Sequence, residues 1–117
     1  MNIISKEFHF SASHQLKGLP EEHPCGRMHG HNYVLRVFLK GEPDIHGFVQ
    51  DYRELSPIHN WIKEKLDHRN LNDVFDFQPS VENMTKYIYH KFKVQFSLLY
   101  AVEIAETSKT NCRYEGE

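Results

Sequence analysis

Cys25-Gly26-Arg27-Met28-His29-Gly30-His31-Asn32-Tyr33-Val34-Leu35-Arg36-Val37-Phe38-Leu39 is the stretch that organises this chain. The run after Asn32 is rich in β-branched and aromatic residues, which predicts a strand opening at His29 and ending near Lys40. Side chains of a strand alternate faces, so His29 and His31 point the same way. Two imidazoles on one face are half of a metal site. Gly30 between them lets a ligand or another backbone approach closely. Cys25, beside Gly26 on a loop, is placed to be a reactive thiol near that site. The bland readings are a chance histidine pair and a cysteine acting as a small hydrophobe.

Upstream, residues 3–14 read as a second strand. Ile4, Phe8, Phe10, Ala12 and His14 share one parity, and only Lys6 breaks the apolar pattern. Gln15 to Met28 is then a long connection carrying Gly18, Pro20, Pro24, Cys25 and Gly26, and connections of this length are often functional. If the two strands pair antiparallel, His14 comes beside His29 and His31. Three histidines on one face leave the fourth zinc position open, which is the pattern of catalytic rather than structural sites.

Downstream, Gly41 to Asp44 is a turn, and His46 to Gln50 either extends the sheet or bulges at Gly47. Asp51, with Glu54 placed for a capping box, competes with Ser56-Pro57 as a helix start. The expected outcome is a short turn at 52–55 and a regular helix from Pro57 to about Leu66. Leu55, Ile58, Ile62 and Leu66 form its core stripe. Asp67-His68 follows. It is either part of a solvated helix end or a carboxylate–imidazole pair for proton transfer, and adjacency alone does not assure contact. Pro79-Ser80 starts a second helix from Val81 to about Lys93, with Val81, Met84, Thr85, Ile88 and Phe92 facing the core. A strand over Tyr100 to Thr107 puts Glu106 on the face of Val102 and Ile104. An acid on an apolar face calls for a partner, which suits a ligand role. Ser108 to Asn111 turns the chain into a last strand, Cys112 to Glu115, and Cys112 reads as structural.

The order strand, strand, helix, helix, strand, strand gives an α+β fold, an antiparallel sheet with two helices on one face. The uncovered face and edges call for oligomerisation. At 117 residues the chain fits a single domain, 1–117. A net charge of −2 provides no broad basic field for nucleic acid. No apolar run has transmembrane length, and the alternating N-terminus does not read as a signal peptide, so no membrane association is expected. Two cysteines make no disulfide framework, which suits a reducing, cytoplasmic setting. Nine histidines are many for this length and hint at metal or acid–base chemistry.

Taken together, these motifs resemble the 6-pyruvoyl-tetrahydropterin synthase / 6-carboxytetrahydropterin synthase family. The resemblance spans nearly the whole chain. It is carried by Phe10-Ser11-Ala12-Ser13-His14, Cys25-x-x-x-His29-Gly30-His31-Asn32-Tyr33, Asp51-Tyr52-x-x-Leu55, Leu66-Asp67-His68-x-x-Leu71-Asn72, Pro79-Ser80-x-Glu82-Asn83 and Glu106-Thr107. It implies the tunnelling fold (T-fold), a ββααββ unit whose sheets join into a barrel. Trimers stack in pairs into a homohexamer with active sites where subunits meet. It implies zinc on His14, His29 and His31, Cys25 as catalytic cysteine, Asp67 and His68 as paired acid–base residues, and Glu106 as anchor of the pterin ring. The three-residue gap between Cys25 and His29 looks like the bacterial 6-carboxy-5,6,7,8-tetrahydropterin synthase of queuosine biosynthesis. That enzyme converts 7,8-dihydroneopterin triphosphate to 6-carboxytetrahydropterin, acetaldehyde and triphosphate. The rivals are 6-pyruvoyl-tetrahydropterin synthase, a dihydroneopterin side-chain cleaving enzyme, and a non-enzymatic zinc or pterin-binding module. Lys17, Arg27 and Lys86 are basic and lie near functional stretches, with no role assigned.

Overall fold

The computed structural model of the chain describes residues 1–116. Its frame is a long antiparallel hairpin in which β1 (Asn2–His14) pairs with β2 (His29–Gly41), from Asn2 opposite Gly41 to His14 opposite His29. Phe8, Phe10, Ala12 and His14 of β1 and Tyr33, Leu35, Val37 and Leu39 of β2 are buried together on one face. A slip of one residue would turn that whole set to solvent, so the apolar alternation pins the register.

Two helical segments cover this face. The Asp51 carboxylate accepts the Arg53 N–H and opens a 3-10 turn over Tyr52–Leu55, ahead of α1 (Ser56–Trp61). The expected regular helix to Leu66 does not continue: Ile62–Leu66 is a π turn, closed by the Asp67 N–H on the Ile62 carbonyl at 2.9 Å. Leu55, Ile58, Ile62 and Leu66 are each at most 1% exposed, so the stripe is core as read. Each such side chain contributes about 1.5–3 kcal/mol by burial. The wider turn keeps Leu66 inside while delivering Asp67 to the strand beside it, a use for which π turns recur.

The polar stretch after it also differs from expectation. Arg69–Asn70 forms a two-residue strand, β3, parallel to β1 at Ala12 and Ser13, and Asn70 caps α2 (Leu71–Val74). The second helix follows as read: α3 (Val81–Lys93) starts at Ser80, whose side chain accepts the Asn83 N–H.

β4 (Leu99–Ala105) pairs antiparallel with β2, and β5 (Cys112–Tyr114) with β4. The sheet order is therefore β3-β1-β2-β4-β5, antiparallel but for β3. Residues 46–50 are not strand. The Asp44 carboxylate accepts N–H groups from His46 and Phe48, and Gly47 takes a φ of +87°, so the chain folds back on itself there. Glu106 lies one residue past the end of β4. No helix among the described residues is long and apolar enough to cross a membrane.

Candidate active site

The hairpin register places His14 opposite His29, and His31 two residues further along the same face. The three imidazoles meet at the end of the core. Their ring centroids lie 4.6 Å apart for His14–His29, 4.8 Å for His29–His31 and 5.2 Å for His14–His31, each pair edge to face. The outer nitrogens of two rings are tied back. His14 Nδ1 is 2.8 Å from the Pro79 carbonyl, and His29 Nδ1 is 2.7 Å from that of Arg27. A carbonyl only accepts, so both Nδ1 atoms carry the proton and both Nε2 atoms present lone pairs inward. Those two Nε2 atoms nevertheless stand 3.0 Å apart. Facing lone pairs at that distance call for a cation between them, and carbonyl-oriented histidines are the usual support of a metal ligand.

Glu106 joins this group. Its Oε2 lies 3.3 Å from His14 Nε2 and 3.1 Å from His31 Nε2. One ligand atom from each of His14, His29, His31 and Glu106 falls within 4.8 Å of the others, so the group can hold a metal ion. The Glu106 carboxylate thus leans on the same histidines. Although His31 Nε2 is close to Glu106, no hydrogen bond joins them, and it is buried without a partner. Burial lowers the His31 pKa against the opposing pull of Glu106, with His14 and His29 adding to the lowering, which favours the neutral, ligating ring.

Tyr33 closes the inner wall. Its ring stacks on Phe10 at 4.8 Å and stands edge-on to His31 at 5.4 Å and to His14 at 5.9 Å. Its hydroxyl is buried and unpartnered, and burial, then the Glu106 charge, push its pKa upward. The sequence reading assigned Tyr33 no role. The available signal was its parity with His31 and its polar tip on an otherwise apolar ring.

Cys25 is half-buried on a short 3-10 turn, Pro24–Gly26. It does not belong to the convergent group of ligand atoms. Its turn is nevertheless tied to residues that flank the histidine strands. The Leu16 N–H donates to the Cys25 carbonyl at 2.9 Å, two residues after His14, and Gln15 Nε2 donates to the Gly26 carbonyl at 2.8 Å. On the other side Arg27 holds the ring of His29. His23 Nδ1 accepts the Cys25 N–H and caps the turn.

Asp67 and His68 do meet. His68 adopts a φ of +59°, its N–H donates to the Ser11 carbonyl at 2.6 Å, and its Nδ1 lies 3.1 Å from Asp67 Oδ1. A left-handed residue without glycine's freedom is strained, and such strain concentrates at functional positions. The Ser11 N–H, Lys63 and His68 together hold the Asp67 carboxyl below its ordinary pKa. Lys63 was overlooked in the sequence; its spacing of four residues before Asp67 on a helical segment was the clue. The pair is not among the groups that converge on the histidines. The His68 side chain is 81% exposed, on a polar cleft that it shares with Ser11, Ser13, His31, Asn32 and Asn70.

Comparison with known proteins shows the family and the fold. Residues 3–117 match the family model described as 6-pyruvoyl tetrahydropterin synthase. A putative 6-pyruvoyl tetrahydrobiopterin synthase of Caenorhabditis elegans is 41% identical over 96 residues, covering 75% of this chain and 69% of its own length. A 6-carboxy-5,6,7,8-tetrahydropterin synthase of Synechocystis is 35% identical over 122 residues, covering 97% of this chain and 93% of its own. The solved structure of the Caenorhabditis elegans 6-pyruvoyl tetrahydropterin synthase superposes with a TM-score of 0.84 at 34% identity, over 100% of this chain and 98% of that one.

Proposed function

The chain belongs to the 6-pyruvoyl tetrahydropterin synthase family, and on that premise we propose that it is a zinc-dependent 6-carboxy-5,6,7,8-tetrahydropterin synthase of 7-deazapurine (queuosine) biosynthesis. The substrate is 7,8-dihydroneopterin triphosphate, and the products are 6-carboxytetrahydropterin, acetaldehyde and triphosphate. The observation that carries an enzymatic reading is the convergence of His14, His29 and His31, with the Nδ1 protons of His14 and His29 held by carbonyls and their Nε2 lone pairs turned inward. The three-residue gap between Cys25 and His29 supports the carboxy product. The identity with the Caenorhabditis elegans protein favours the pyruvoyl product instead. Incubation with dihydroneopterin triphosphate and identification of the pterin decides: acetaldehyde release is expected, and its absence alongside 6-pyruvoyl-tetrahydropterin overturns the carboxy assignment.

Zinc is the metal that suits three imidazoles. When bound there it supplies Lewis acidity toward the hydroxyls of the substrate side chain. Cys25, as thiolate, removes a proton from that side chain. His68, oriented by Asp67, carries the other proton as the double bonds shift. Glu106 anchors the pterin: a carboxylate accepts two parallel hydrogen bonds from the N–H groups on the guanidine-like edge of the ring.

The same reading makes domain 1–117 the repeating unit of a homohexamer acting in the cytoplasm. β3 covers β1 only at Ala12 and Ser13, so among the described residues the outer edge of β1 from Asn2 to Ser11 has no strand beside it. An edge of that length is a template for another chain. The exposed position of His68, outside the convergent group, fits a role toward a neighbouring subunit's site. Light scattering at micromolar concentration is expected to give six chains per particle; a monomer would remove both the assembly and the shared site.

A further inference from the structure

Among the described residues, two buried side-chain polar atoms have no hydrogen-bond partner: His31 Nε2 and the Tyr33 hydroxyl. They lie two residues apart on one face of β2, in the wall of one site. An orphaned buried polar group is costly, and two in one place point to a shared cause. A metal on the three Nε2 atoms satisfies His31. It leaves Tyr33, which has one proton to donate, and Glu106, whose oxygens only accept.

The sheet sets these two side by side. Val34 pairs with Ala105 at the end of the antiparallel ladder of β2 and β4, and Tyr33 and Glu106 are the next residues of the two segments beyond that last pair. Cross-strand neighbours on one face are close enough to interact. Tyr33 is held from behind by its stack on Phe10, so its hydroxyl is a fixed rather than a roaming donor.

We propose that, with a metal seated on the three imidazoles, Tyr33 is a positioning residue: its hydroxyl, unpartnered while Glu106 leans on the histidines, donates to the displaced carboxylate and keeps it as the pterin anchor rather than as a fourth metal ligand. The inference rests on the metal and pterin reading above and adds what selects between the two tasks open to Glu106. Without the hydroxyl, Glu106 is free to close the metal as a fourth protein ligand, the arrangement of a structural site.

Tyr33→Phe tests this, because it keeps the ring and its stack and removes one oxygen. Three readouts on purified protein are needed: zinc affinity by chelator competition, the visible spectrum of the cobalt-substituted protein, and binding of dihydroneopterin by fluorescence. The variant is expected to hold zinc as tightly as the wild type or more tightly. Its cobalt spectrum should change as the carboxylate enters the coordination shell, and dihydroneopterin should bind about tenfold more weakly, the scale of one lost hydrogen bond. Adding Glu106→Gln to Tyr33→Phe should return the cobalt spectrum toward that of Glu106→Gln alone. An unchanged cobalt spectrum with unchanged dihydroneopterin binding overturns the proposal. So does a fall in zinc affinity, which would make Tyr33 a support of the metal site itself. A wild-type chain that takes up neither zinc nor cobalt overturns the metal reading and this inference with it, whereas metal uptake with normal dihydroneopterin binding in Tyr33→Phe overturns the inference alone.

Discussion

Cys25→Ala is expected to lower turnover at least about a hundredfold while leaving metal content, assembly and pterin binding in place. The thiol is not one of the four groups that converge on the metal position, so its removal takes away no ligand. Its carbonyl accepts from the Leu16 N–H and its N–H donates to His23 Nδ1, both through groups that alanine also has, and Gln15 holds the neighbouring Gly26 carbonyl, so the loop should keep its course. What disappears is a base, and a positioned base is worth about 10²–10⁴ in rate. Cys25→Ser should fare little better, because a hydroxyl yields almost no anion near neutral pH. Alkylation of the free enzyme should inactivate it, with bound pterin protecting. Steady-state kinetics on dihydroneopterin triphosphate reads the effect. A Cys25→Ala enzyme working at close to the normal rate would leave His68 and the metal site to account for the chemistry. A loss of zinc in that variant would instead make Cys25 a ligand.

His29→Ala is expected to abolish both zinc retention and activity. Removing a hydrogen-bond partner that orients a metal ligand typically costs about 10–100-fold in metal affinity, and removing a ligand outright costs more. His29 is the clean choice among the three, since its ring is tethered only by the Arg27 carbonyl, whereas His14 is 1% exposed and braced on Pro79. Elemental analysis after dialysis is the measurement; full zinc retention would remove the site as drawn. Glu106→Gln is the companion experiment. It should keep zinc yet weaken pterin binding, because the amide loses the charge and one of the two acceptor oxygens. Should zinc fall as well, the short approaches of Glu106 to His14 and His31 would mark it as a ligand, and the anchoring role would go.

The parts that were legible in the sequence share a cause. Period-two alternation and a dense β-branched run specify β1 and β2 and the parity of every side chain on them, so the meeting of His14, His29 and His31 follows once the strands pair antiparallel. The stripe Leu55, Ile58, Ile62, Leu66 and the Ser80 cap are equally local, and both appear as read. Family resemblance narrowed the readings of Cys25, Asp67, His68 and Glu106, which the residues alone left open, to specific expected roles.

Tertiary structure alone decided what depends on contacts between distant segments. A π turn, rather than five more residues of regular helix, brings Asp67 to the Ser11 N–H, because the chain must both bury Leu66 and reach β1. His68 then takes a left-handed backbone to return its ring to Asp67 and its N–H to Ser11, a conformation its own propensity disfavours and only its neighbours enforce. The approach of Glu106 to the histidines, just past the last pair Val34–Ala105, depends on the register of β4 against β2. That register joins residues some seventy positions apart in sequence. Local patterns fix which face a side chain takes; only the packed sheet fixes which partner it meets.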